Sequence, residues 1–131
     1  MDMVTLLQAE IVKAKDNLQT IEFNLNDQHF TFYYRYLTLL QKVRIEQLST
    51  SAYTVVNTDG TSTTTHEKKD YLIPIHTILE CSLDEDGKKL FSGSNPEHFK
   101  LISSFPAALS SYIAYEQSLD VFGSMTPKKD T

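Results

Sequence analysis

The sequence predicts a mainly α-helical fold: a small single domain of four to five helices with one short β-hairpin. Three observations carry this. Apolar residues recur at spacings of three and four over most of the chain. They alternate with polar ones only between Ile21 and Phe32. A stretch rich in Ser and Thr, residues 49–66, separates two apolar halves.

The first segment is helical. Val4, Leu7, Ile11, Ala14 and Leu18 are spaced 3, 4, 3, 4 and form one apolar face. Gln8, Glu10, Lys13 and Lys15 occupy the other side, and Asp2 suits the N-cap. Ile21, Phe23 and Leu25 then alternate with Glu22 and Asn24, and Phe30 and Phe32 flank Thr31. The turn-forming cluster Asn26-Asp27-Gln28 lies between them, so this segment is a hairpin.

Helical spacing returns from Tyr33 to about Leu48, with a stripe of Tyr33, Tyr36/Leu37, Leu40, Val43 and Gln47/Leu48. Ile45 falls off that stripe and is expected at the surface. From Ser49 to His66, ten of eighteen residues are Ser or Thr, with Asn57 to Gly60 in the middle. Tyr53, Val55 and Val56 are residue types that could pair briefly as a strand, but the composition predicts instead a mobile loop that contributes little to the core.

Asp70 to about Leu83 is apolar again, and a helix is expected to begin near Pro74, which cannot donate a backbone hydrogen bond. Asp84-Glu85-Asp86-Gly87 reads as a tight turn. Asn95-Pro96-Glu97 is a helix start: Asn caps, Pro takes the first position, and Glu suits the dipole. That helix runs to about Ser103. Pro106 opens a last one, with a stripe of Phe105, Ala108, Tyr112, Tyr115, Leu119 and Phe122, ended by Gly123. The domain thus spans residues 1–123, and 124–131 read as a disordered tail.

Composition narrows function. Twelve basic and 17 acidic residues leave a net charge of -5, and the lysines occur as scattered pairs. Nucleic acid binding requires clustered cations, so no nucleic acid partner is expected. Apolar runs stop at four or five residues, too short for a membrane span, and no signal peptide is visible; a cytoplasmic protein is expected. Cys81 is the single cysteine, so no intrachain disulfide forms.

Motifs for chemistry fall short of their requirements. His66-Glu67-Lys68-Lys69-Asp70 has Asp where a zinc-protease helix needs its second His. A calcium loop starting at Asp84 would carry Lys88 at its fifth position and Lys89 at its sixth. Ser92-Gly93-Ser94 lacks the glycine spacing of a nucleophile elbow, and the four glycines are too dispersed for a phosphate loop. No catalytic residue, metal or cofactor is expected. Interaction surfaces remain: aromatic-rich amphipathic helices can offer one face to a partner, and Tyr suits such surfaces. The candidate protein-binding residues are Tyr33, Tyr36, Leu37, Leu40, Ile45, Tyr112, Tyr115 and Leu119. The two aromatic stripes also suggest self-association.

The order of elements resembles the small tail assembly chaperones of long flexible-tailed phages, the lambda G protein type. The resemblance rests on Phe30-Thr31-Phe32 followed by Leu37-Thr38-Leu39-Leu40-Gln41-Lys42-Val43-Arg44-Ile45-Glu46. It continues through Ser82-Leu83-Asp84-Glu85-Asp86-Gly87, Lys89-Leu90-Phe91 and Phe105-Pro106-Ala107-Ala108-Leu109. It implies a non-enzymatic chaperone that binds the tape measure protein, keeps it soluble and helps recruit tail tube protein. Such a protein acts in the bacterial host cytoplasm, is absent from the mature virion, and is made in a short form and a longer frameshifted one. Two alternatives stand beside it. One is a bacterial helical adaptor unrelated to phage. The other is a small enzyme using His76, Cys81 and His98.

Overall fold

A computed structural model describes residues 2–119, apart from the side chain of Leu119. The expected tail, and the stop at Gly123, lie outside the described residues. In chain order the elements are α1 (Met3–Asp16), β1 (Gln19–Leu25), β2 (Gln28–Tyr34), α2 (Leu39–Leu48), β3 (Thr50–Val56), β4 (Ser62–Lys68), α3 (Leu72–Cys81), α4 (Pro96–Ser103) and α5 (Ala107–Leu119). This is a mixed α/β architecture with two antiparallel hairpins, not a mainly α fold with one.

The extra hairpin is the Ser/Thr-rich stretch expected to be a loop. Thr is β-branched and favours the pleated backbone. Here Thr54 meets Thr64 across the ladder, their hydroxyls 3.2 Å apart. Asn57 to Thr61 close the turn: Asn57 N–H donates to the Thr61 carbonyl at 2.8 Å, and Gly60 takes a φ of +86°. No residue of β3 or β4 is buried. His66 and Glu67 lie in β4, so the helical metal motif has no helix to stand on.

The first hairpin forms where alternation predicts it. Asn26 and Asp27 alone link its strands, at φ 49° and 68°, as a two-residue type I′ turn requires. Ile21 and Phe32 face each other across the ladder, and Phe23 packs edge-on to Phe32 with ring centroids 5.1 Å apart. Alternation continues through Tyr34, which is fully buried, so residues 33 and 34 are strand and not the start of a helix.

α2 therefore begins at Leu39. Thr38 is its N-cap in a capping box: Gln41 N–H donates to Thr38 Oγ1 at 3.1 Å, and Thr38 N–H to Gln41 Oε1 at 3.0 Å. The later start sets a different face inward. Ile45, expected at the surface, is 3% exposed, whereas Leu40 of the expected stripe is 81% exposed.

α3 is the hub. It packs against α2, α4 and α5, and Thr77 to Cys81 are buried on all sides of its last turns. Pro74 sits in its first turn, where a missing N–H breaks no helical bond. The core joins Ile78 and Leu79 to Ile21, Phe32 and Tyr34 of the hairpin, and to Ile102 and Ile113 of α4 and α5. Beyond α3 the chain returns to the hairpin. Leu83 N–H donates to the Tyr33 carbonyl at 2.7 Å and Tyr33 N–H to the Leu83 carbonyl at 3.0 Å. Leu83 also bridges to Lys89. The intervening turn is built on Asp84, whose carboxylate accepts from the N–H groups of Asp86 and Lys88 at 2.8 and 2.9 Å. Gly87 has a φ of +81°, and a Cβ there would lie 2.5 Å from Arg35 Nη2. Among the described residues no helix is long and apolar enough to cross a membrane.

Candidate functional site

Two features stand out: a polar cleft against α3, and apolar side chains left in water on α1, α2 and α5.

The cleft, about 540 Å³, is lined by Arg44, His76, Glu80, Lys89, Phe91 and His98 among others. α3 supplies His76 and Glu80 at i and i+4, hence on one face. The Glu80 carboxylate is 9% exposed. Arg44 Nε on α2 reaches one oxygen at 3.4 Å, and Lys89 Nζ reaches the other at 3.3 Å. This three-element clamp satisfies a buried charge. His98 accepts from the Ser92 N–H through Nδ1 at 2.8 Å, leaving the ring proton on Nε2 when neutral. The His76 ring lies 5.7 Å from that of Phe99, and its burial holds its pKa below the usual 6.5 despite the opposing pull of Glu80.

His76 and His98 thus share a cleft, but Cys81 does not join them. It is buried and lines a separate recess with Arg35, Tyr36 and Gln41. Burial, reinforced by the Glu80 charge and only partly opposed by Lys89, pushes its thiol up to about 12. A thiol so held is not a nucleophile near neutral pH. His76, Cys81 and His98 therefore do not meet in one cleft.

The binding candidates whose side chains are described fall into three groups. Tyr33, Tyr36 and Leu37 are half-buried at the end of β2 and in the link to α2. Ile45 belongs to the interior. Leu40, Tyr112 and Tyr115 are exposed, at 81%, 44% and 61%. α5 turns Ile113 and Gln117 inward, and Gln117 Nε2 donates to the buried Ser82 hydroxyl at 2.8 Å. Leu119 ends α5, and its side chain lies outside the described residues.

Leu39 joins Leu40 at the start of α2, 77% exposed. The capping box fixes the backbone beneath both, so two leucines stand on a rigid first turn. Sequence reasoning passed over Leu39, because a stripe beginning at Tyr33 puts residue 39 off the apolar face. The binding candidates also leave out the α1 stripe. None of the residues of α1 is buried, and Val4, Leu6, Leu7 and Val12 are more than half exposed.

No protein-family model matches the chain, and no curated protein or solved structure matches it either.

Proposed function

We propose that the protein is a non-enzymatic binding module for another polypeptide and, following the sequence resemblance, a phage tail assembly chaperone. In this reading it binds the tape measure protein, keeps it soluble in the host cytoplasm, and helps bring tail tube subunits to it. One observation carries the proposal: Leu39 and Leu40 stand 77% and 81% exposed on a capped helix start. Paired leucines on a fixed turn suit the apolar stripe of an amphipathic helix. A rigid ledge also limits the side-chain and backbone ordering that binding would otherwise cost. The net charge of -5 keeps a coated, aggregation-prone polymer soluble, and many weak contacts in series along it give avidity.

The test is co-expression with the tape measure protein encoded in the same genome. The wild-type chain is expected to keep that protein soluble and to elute with it. The Leu39→Ser/Leu40→Ser variant is expected to leave it in the pellet while itself remaining folded. An insoluble tape measure beside the wild-type chain counts against the proposal. The same ledge would serve a bacterial adaptor, and neighbouring genes that encode no tail proteins would favour that reading.

A further inference from the structure

We infer that α1 is a dimerisation element: two copies of this chain pair through it as a parallel, two-stranded coiled coil. The inference concerns α1 alone and stands whether or not the partner proposed above is right. α1 has 14 residues, none of them buried, and among the described residues no other element packs extensively against it. A helix of that length is marginal in water without tertiary support. Its N-cap is in order, since Asp2 Oδ1 accepts from the Thr5 N–H at 2.7 Å, but one cap does not replace a packed face. The helix needs an occupant for its apolar side.

The sequence of α1 states which occupant. Val4, Leu7, Ile11 and Ala14 fall at positions a, d, a and d of two heptads. β-branched Val4 and Ile11 at a, with Leu7 at one of the two d positions, suit a two-stranded pairing. Charge sets the orientation. On this register Glu10 is at g and Lys15 at e, five residues apart. In a parallel pair, Glu10 of one copy lies beside Lys15 of the other, and the contact occurs twice by symmetry. An antiparallel pairing that keeps all four apolar layers would instead set Glu10 against Glu10. Among the described residues of the single chain Glu10 pairs only with Lys13, at 3.3 Å and in an exposed position, so that contact is readily exchanged.

Two heptads make a weak, reversible dimer, and the test must span concentration. In sedimentation equilibrium on the full chain, up to roughly 1 mM, mass is expected to rise from monomer toward dimer. Leu7→Asp is expected to remain monomeric with unchanged thermal unfolding, because α1 supplies nothing to the core. Glu10→Lys and Lys15→Glu, each turning two attractions into two repulsions, are expected to weaken the dimer roughly tenfold. The double charge swap is expected to return it to within about threefold of wild type. Oxidised Leu7→Cys is expected to cross-link, since like d positions face each other only in the parallel arrangement. A monomer at every concentration overturns the inference. So does a dimer indifferent to Leu7→Asp, or one in which Leu7→Cys fails to cross-link.

Discussion

Ile78→Ala and Leu40→Ala each excise three side-chain carbon atoms, from two different environments. Ile78 is fully buried in α3, where α2, α4 and α5 converge, and Leu40 is 81% exposed. At about 0.8 kcal/mol per buried carbon, the Ile78 excision forfeits roughly 2.4 kcal/mol of transfer free energy. A residual cavity of at most about 80 Å³, at ~24 cal/mol per Å³, adds up to about 2 kcal/mol. The expected loss is therefore about 2.5–4.5 kcal/mol, a large share of the 5–15 kcal/mol typical of a whole domain. At roughly 3–5 °C per kcal/mol for a chain of this size, the melting temperature drops by about 10–20 °C. Leu40→Ala leaves stability within about 0.5 kcal/mol, since its side chain is already in water and Ala is a good helix former. Thermal and urea unfolding followed by far-UV circular dichroism measure both. Equal losses in the two variants, or a loss under about 1 kcal/mol for Ile78→Ala, would refute the placing of α3 at the centre of the fold.

Two further outcomes follow from the titratable groups around α3. With its pKa raised from 9.0 to about 12, the Cys81 thiol is expected to react with a disulfide reagent at pH 8 at least roughly 1,000-fold more slowly in the folded protein than in denaturant. The folded His76 ring resists a proton that the unfolded chain accepts near 6.5, so unfolding takes up a proton below that pH. Stability is expected to fall as pH drops from 6.5 through the lower folded value, and His76→Gln to flatten that slope in urea titrations.

Local signals were legible where short-range chemistry decides the structure. Asn26-Asp27 marks a turn because both residues tolerate positive φ, and Asn95 with Pro96 marks a helix start, its Oδ1 accepting from the Glu97 N–H at 2.9 Å. The readings failed where tertiary placement decides. Tyr33 and Tyr34 fit a helical stripe as well as the end of an alternating strand, and the pairing of Tyr33 with Leu83, fifty residues on, selects the strand. That shift delayed α2 and exchanged the roles of Ile45 and Leu40. The Ser/Thr run was ambiguous because Thr serves both loops and exposed strands, and hydrophobicity gives no warning of a ribbon that buries nothing. At the candidate site, Leu40, Tyr112 and Tyr115 were legible as apolar residues at helical spacing. Their exposure depends on which neighbours the fold supplies, and the sequence does not carry that.

The backbone pairing of Leu83 with Tyr33 has a consequence for synthesis on the ribosome. The hairpin of β1 and β2 is complete once residue 34 has emerged, yet the outer edge of β2 gains this pairing only some fifty residues later. Throughout that interval a nascent chain carries an apolar two-stranded unit with open hydrogen-bonding groups and no α3 to cover Phe32. Slowing translation between Tyr34 and Leu83 would lengthen this window, whereas slowing it after Leu83 would not.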